Sequence, residues 1–153
     1  ISPIETLTAK LSYSHTEETD WLNWISDNLL ATYDSKQRRT TARIQWFEGT
    51  KHELRVKAQM LAFTARNPKP YLGDLSGNLN PYQTSLPPIT VSQLAFQVRY
   101  RYEIQPLAYL YVVYTKGGRV AMYDEEDSLN ELYKRPWNDP QSDNFTIKLR
   151  YRF

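Results

Sequence analysis

The chain has 153 residues, no cysteine, and 19 lysines and arginines against 17 acidic residues, for a net charge of +2. This length suits one domain, the lack of cysteine excludes disulfides and thiolate metal sites, and the balanced charge gives no electrostatic case for a nucleic-acid partner. Twelve tyrosines, four tryptophans and five phenylalanines favour β-strands and are also typical of side chains at a membrane–water interface.

Apolar and polar residues alternate at every second position along much of the chain, which predicts strands. In chain order we predict seven, at residues 5–14, 21–33, 38–47, 52–65, 91–104, 107–117 and 143–153. The fifth alternates most clearly, and its apolar face reads Leu94, Phe96, Val98, Tyr100, Tyr102 and Ile104. The sixth is apolar on both faces, and its Tyr and Val content favours a strand over a helix.

The connections between these strands differ in length. Glu48-Gly49-Thr50-Lys51 and Gln105-Pro106 are predicted tight turns, whereas 66–90 and 118–142 are long and rich in Pro, Gly, Asn and Asp. Outer-membrane barrels have short periplasmic turns and longer extracellular loops, and these four connections alternate in that way if the chain ends on the periplasmic side. Two earlier predicted connections, 15–20 and 34–37, are both short and do not discriminate.

The pattern predicts an all-β fold, an antiparallel transmembrane β-barrel with short periplasmic turns and long extracellular loops. Bacterial barrels close with an even number of strands. Seven predicted strands therefore indicate a missed strand or, as we prefer, part of a larger barrel. Residues 1–153 would then form a single barrel domain or the C-terminal segment of a longer barrel.

The charged residues of the predicted strands lie opposite the apolar ones. In a membrane barrel this face lines the lumen, where charges select solutes or pair with each other or with a plug, and we prefer the pairing role. The predicted lumen-lining residues are Lys10, Arg43, Glu53, Arg55, Lys57, Arg99, Arg101, Glu103, Lys148 and Arg150.

The last residues carry a motif of their own, with Ile147, Leu149, Tyr151 and Phe153 at every second position. A final Phe after alternating apolar residues resembles the signal by which the outer-membrane assembly machinery recognises barrel proteins. The usual small residue upstream is missing, and Lys148 occupies that region. The resemblance implies this machinery as a partner.

A second resemblance covers about residues 20–153 and is carried by WLNW at 21–24, NLLATY at 28–33, HELRVKAQ at 52–59, FQVRYRY at 96–102 and PLAYLYVVY at 106–114. These segments resemble the C-terminal portion of a Gram-negative outer-membrane β-barrel family of unknown function. In that family the barrel follows a periplasmic module similar to family 9 carbohydrate-binding domains. The resemblance implies a location and a fold, but no activity.

Candidate catalytic chemistry is sparse. The two histidines, His15 and His52, are predicted on or beside periplasmic turns, and there is no nucleophile elbow, paired-histidine zinc motif or glycine-rich phosphate loop. The acidic cluster 124–127 could bind a divalent cation. We prefer to interpret it as the start of a short amphipathic loop helix, with Leu129, Leu132 and Tyr133 before Lys134 and Arg135. We predict no catalytic residue, metal or cofactor.

These observations lead us to expect an integral protein of the Gram-negative outer membrane that passes or handles a solute, carbohydrate among the candidates, or anchors a partner, and that is not an enzyme. Expected partners are outer-membrane lipids, the assembly machinery, and further barrel strands or a periplasmic or plug protein. Two alternatives stay open. One is a soluble lipocalin-like antiparallel barrel that encloses a small ligand with its apolar face. The other is an outer-membrane barrel hydrolase that depends on His15 or His52.

Overall fold

An antiparallel sheet accounts for most of the chain in the computed structural model, which describes residues 6–122 and 127–152. The elements are β1 Thr6–Ser26, β2 Leu29–Glu48, β3 His52–Gly73, β4 Leu79–Pro81, β5 Ile89–Gln105, β6 Ala108–Met122, α1 Leu129–Asn138 and β7 Ser142–Arg150. The strand order is β1-β2-β3-β5-β6-β7, and the short β4 pairs with the end of β3. The all-β prediction is confirmed. Over the described ranges β1 and β7 each pair along one edge only, so the sheet is not closed into a barrel.

The two predicted tight turns are confirmed. β2 ends at Glu48 and β3 begins at His52. Gly49 between them has a φ of +55°, a left-handed conformation that glycine adopts without steric cost. Pro106 and Leu107 form the second turn, between β5 and β6. We call the half of the sheet next to these two turns the turn half, and the opposite half the loop half.

The predicted connections at 15–20 and 34–37 are wrong. Both segments lie inside long strands, since β1 has 21 residues and β2 has 20, and the chain reverses instead at Asp27-Asn28. Their polar side chains are explained by pairing between the strands: Lys36 Nζ lies 3.1 Å from Glu17 Oε1. The predicted strand 21–33 is also wrong, because this reversal divides it between β1 and β2. In the described ranges the sheet has seven strands, the number predicted, but six are long and the seventh is the short β4.

The loop half contains the connections that the sequence predicted to be long. They are shorter than expected, because β3 continues to Gly73 and β6 to Met122. The predicted loop helix is confirmed as α1, with Ser128 as its N-cap. Asp127 lies just before this cap, whereas residues 124–126 of the acidic cluster lie outside the described residues. No helix in the described ranges is long and apolar enough to cross a membrane.

Helix α1 and a small apolar core cover opposite faces of the loop half. Leu132 and Pro136 of α1 are buried. The helix is held to the sheet by hydrogen bonds from the Ser92 hydroxyl to the Leu132 carbonyl and between the Tyr133 and Thr40 hydroxyls. The core on the other face consists of Ala31, Tyr33 and Ala65, packed by Trp21, Ile25, Phe63, Leu86 and Ile89.

Candidate functional site

One face of the turn half is apolar on all six long strands. Residues directly opposite each other in neighbouring strands share a face, so the strand register identifies the members of this surface, which we call the apolar band. It comprises Leu7, Ala9, Leu11, Tyr13, Ala42, Ile44, Trp46, Leu54, Val56, Ala58, Met60, Leu94, Phe96, Val98, Tyr100, Tyr102, Leu110, Val112, Tyr114, Phe145, Ile147 and Leu149. The band contains no charged residue.

Much of the apolar band is uncovered. Leu11 is 77% exposed, Phe145 65% and Ile147 62%. A monomeric soluble protein rarely exposes a contiguous apolar patch of more than a few hundred Å². Exposed apolar surfaces of this kind mark sites that contact a protein, a membrane or a ligand.

Aromatic side chains concentrate at the two margins of the apolar band. Near the tight turns, Trp46 lies on β2 and Tyr100 and Tyr102 lie on β5, with β3 between these strands. The ring of His52 on β3 stacks on Tyr102 with a centroid distance of 4.9 Å. At the margin next to the loop half lie Tyr13, Tyr114, Phe145 and the pair Phe96–Trp137, whose ring centroids are 5.3 Å apart. Aliphatic members such as Ile44, Val56 and Val98 lie between these margins, whereas Leu54 and Leu110 lie beside the aromatic residues near the tight turns.

The opposite face of the turn half carries all ten residues predicted to line a lumen, and we call these ten residues the charged face. Eight are cations and two are acids. Lys10, Arg43 and Lys57 are direct partners on three neighbouring strands. Arg99 lies opposite Arg55, and Arg101 lies opposite Glu53. Glu103 and Arg150 flank Tyr109, while Lys148 lies opposite Tyr111.

Glu53 is the best-shielded member of the charged face, with only 5% of its surface exposed. Its carboxylate contacts the Arg55 guanidinium, and its Oε2 lies 3.1 Å from Arg101 Nε. Charges therefore pair around Glu53, where one carboxylate contacts two arginines.

Two tyrosines that contact arginines of the charged face were not predicted from the sequence. The Arg99 guanidinium lies 5.1 Å from the centre of the Tyr111 ring, and that of Arg101 lies 5.4 Å from Tyr109, both within cation–π range. The reason is that residues 107–117 are apolar on both faces, so their sequence does not show which side chains lie on the charged side of the sheet. The only signal would have been the register with 96–104 across the tight turn.

Two grooves lie over the charged face. The larger has a volume of about 560 Å³ and includes Thr41, Arg43, Lys57, Gln59 and Gln97 among its lining residues. The second, of about 370 Å³, is lined by Gln97, Arg99, Tyr111, Val113, Thr146, Lys148 and Arg150. Because both include Gln97, the grooves are adjacent.

The polarity of the two faces reverses in the loop half. On the face that continues the apolar band, Lys69 Nζ lies 2.8 Å from Asp20 Oδ1, and Lys36 pairs with Glu17. Leu22 and Trp24 are exposed exceptions at the sheet edge. The face that continues the charged face instead holds the core around Tyr33 and Phe63.

The remaining predicted residues take separate places. His15 lies in the middle of β1, so its predicted position at a turn is wrong, and its Nε2 is 3.0 Å from Glu17 Oε1. His52 is confirmed beside a turn, with Nδ1 2.6 Å from the Tyr100 hydroxyl. In the part of the chain that the structure describes, no group of three His, Asp or Glu side chains is arranged to hold a metal.

The predicted assembly signal lies at the edge strand and just beyond it. Ile147 and Leu149 belong to β7 and to the apolar band, and Tyr151 follows β7. Phe153 lies outside the described residues.

No family model, curated protein or solved structure matches this chain.

Proposed function

We propose that this chain is part of a Gram-negative outer-membrane β-barrel that passes or handles a solute, or anchors a partner, without catalysing a reaction. In this proposal the apolar band contacts lipid and the charged face lines the lumen. The observation that carries the proposal is the apolar band, which crosses all six long strands without a charge while side chains such as Leu11 remain exposed.

The reversal of polarity along the strands supports a membrane environment over water. A sheet in a soluble protein usually buries one face along its whole length. A barrel that projects beyond the bilayer needs an apolar outer surface only at membrane depth, and a polar outer surface above it. The ion pairs Lys69–Asp20 and Lys36–Glu17, on the same face as the band but in the loop half, fit the projecting part.

The height of the apolar band and its aromatic margins support the same proposal. On β5 the band runs from Leu94 to Tyr102. At ~3.3 Å per residue and a strand tilt of about 40°, this stretch spans roughly 20 Å, close to the ~25 Å apolar belt of outer-membrane barrels. Those barrels also carry aromatic girdles at both interfaces, and on β5 the band has Tyr102 near one end and Phe96, which contacts Trp137, near the other.

The open sheet would need partners at its two outer strands to form such a barrel. Unpaired backbone groups at a sheet edge are costly in hydrocarbon, so membrane sheets close. Within the described ranges, the outer edges of β1 and β7 are unpaired. In the proposal these edges pair with further strands, and the partners are outer-membrane lipids, the barrel assembly machinery, and those strands or a plug.

The lipocalin-like alternative accounts for the grooves less well. A lipocalin-like barrel would enclose its ligand with the apolar face. Both large grooves lie over the charged face instead, with Lys57 and Arg99 among their lining residues. The hydrolase alternative needs a histidine beside a nucleophile, whereas His15 contacts a glutamate and His52 contacts tyrosines.

Membrane fractionation of the native, full-length protein tests the proposal. We expect it in the outer-membrane fraction, extractable only with detergent, with a gel band that shifts on boiling because folded barrels resist dissociation of their strands. A His15→Ala/His52→Ala variant should keep both properties. Recovery in the soluble fraction without detergent would overturn the proposal and favour the lipocalin-like alternative.

A further inference from the structure

A row of cations crosses three neighbouring strands of the charged face. Lys10 lies directly opposite Arg43, and Arg43 directly opposite Lys57. Like charges at directly opposite positions destabilise a sheet, so strand pairing alone does not favour this row. Among the described residues, no acidic side chain lies within ion-pair distance of these three cations.

A second group of cations lies toward the tight turns. Arg99, Lys148 and Arg150 line the smaller groove together with Tyr111. The acids of the charged face do not balance them, because Glu53 is taken up by Arg55 and Arg101. That leaves six cations against Glu103 on a single face of a chain whose net charge is only +2.

The grooves have the same character as the face beneath them. No acidic residue lines either groove, whereas Arg43 and Lys57 line the larger one, and the amide of Gln97 is common to both. Threonine and glutamine side chains such as Thr41 and Gln59 add hydrogen-bonding groups. The two adjacent grooves form a cationic track that crosses the sheet from β2 and β3, which carry Arg43 and Lys57, to β7, which carries Lys148 and Arg150.

We propose that this track binds oxyanions and makes the lumen selective for anionic solutes, an inference that rests on the proposed barrel. Arginine presents paired N–H donors that match a phosphate, sulfate or carboxylate group, and lysine adds a mobile positive charge. Rings of Arg and Lys are how pores favour anions. The solute class is therefore an organic or inorganic oxyanion, and the neutral hydrogen-bonding groups suit hydroxyls on the same molecule.

The first test is the selectivity of the full-length protein in planar bilayers under a KCl gradient. We expect a reversal potential of the sign that indicates preference for chloride, and a fall toward no preference in the double variant Arg43→Gln/Lys57→Gln. The matched control is Lys36→Gln/Lys69→Gln, which removes the same charge from the loop half, on the face that continues the apolar band. This variant should leave the reversal potential unchanged. Cation selectivity of the native protein would overturn the inference.

The second test does not need an open pore. Pyrophosphate binding to the detergent-folded protein is measured by titration calorimetry. We expect the dissociation constant to be about ten times larger in Arg43→Gln/Lys57→Gln, because hydrogen bonds to charged groups are lost. A heat-modifiable barrel that does not bind pyrophosphate, or binds it equally in both double variants, would overturn the inference alone. A protein that fractionates as soluble would instead overturn the proposed function.

Discussion

Glu53 is the residue on which the packing of the charged face depends most. It is buried between Arg55 and Arg101, so Glu53→Gln leaves two close guanidinium groups without their counter-charge. Removing one partner of a shielded ion pair costs more than the pair contributes. We expect a loss of about 2–3 kcal/mol in the free energy of unfolding, measured by urea titration in lipid vesicles.

The control for this substitution is Glu103→Gln on the same face. No ion pair of Glu103 is found among the described side chains, so its replacement should change the free energy of unfolding by less than about 0.5 kcal/mol. Equal effects of the two substitutions would mean that the Glu53 ion pairs do not stabilise the sheet.

For single residues, the sequence could assign the ten charged residues to one face, because successive side chains of a strand point to opposite faces of the sheet. Their partners could not. That Glu53 meets Arg101 while Arg55 meets Arg99 depends on the register between β3 and β5. A long connection separates these strands in sequence, so no local signal sets that register.

At the scale of single elements, helix α1 offers a test of local stability with a pH dependence. The Ser128 hydroxyl accepts a hydrogen bond from the Glu131 backbone N–H, and the Glu131 carboxylate accepts one from the Ser128 backbone N–H. Ser128→Ala should lower the stability of the helix by about 1 kcal/mol. The measurement is hydrogen exchange of the Leu132 amide, which donates to the Ser128 carbonyl.

The hydrogen bond from the Ser128 backbone holds the pKa of Glu131 below its ordinary value of 4.5. A lowered folded pKa means that the stabilisation is fully present above about pH 4.5 and is lost as the pH falls through the lowered value. Protection of the Leu132 amide should therefore decline only in acid. Glu131→Gln retains a capping acceptor and should remove this decline, and an unchanged decline in that variant would assign it to another group.

The elements also show where turn prediction succeeds. Gly49 and Pro106 mark true turns because their backbones suit reversal of the chain. Residues 15–20 and 34–37 are polar for a different reason: they lie in the loop half, where the face that continues the apolar band is charged. The sequence contains that reversal of polarity, but the contacts that distinguish a polar strand from a turn are between β1 and β2.

For the whole molecule, the sequence predicted an antiparallel all-β architecture and could not predict closure. Closure depends on what pairs with the outer edges of β1 and β7, which carry no partner strand in the described ranges. The same limit applies to the apolar band. Its members could be recognised strand by strand, but its continuity across six strands and its exposure follow only from the registers.

The exposure of Leu11 gives a test that separates lipid from water as the surroundings of the band. Leu11 is 77% exposed on the edge strand β1, so in water Leu11→Arg should change the free energy of unfolding by no more than about 0.5 kcal/mol. If lipid covers the band, the same change places a guanidinium in hydrocarbon and should cost about 2–4 kcal/mol. Urea unfolding of the full-length protein in lipid vesicles measures the difference.

The adjacent residue supplies the control, because Ser12 lies on the face of Lys10 rather than that of Leu11. Ser12→Arg adds the same side chain to the same strand, but in the proposed barrel that side chain points into the aqueous lumen, where its cost should be small. A large loss for Leu11→Arg with little loss for Ser12→Arg fits a membrane barrel. Equal and small effects would contradict it, since an arginine tolerated at Leu11 cannot be facing hydrocarbon.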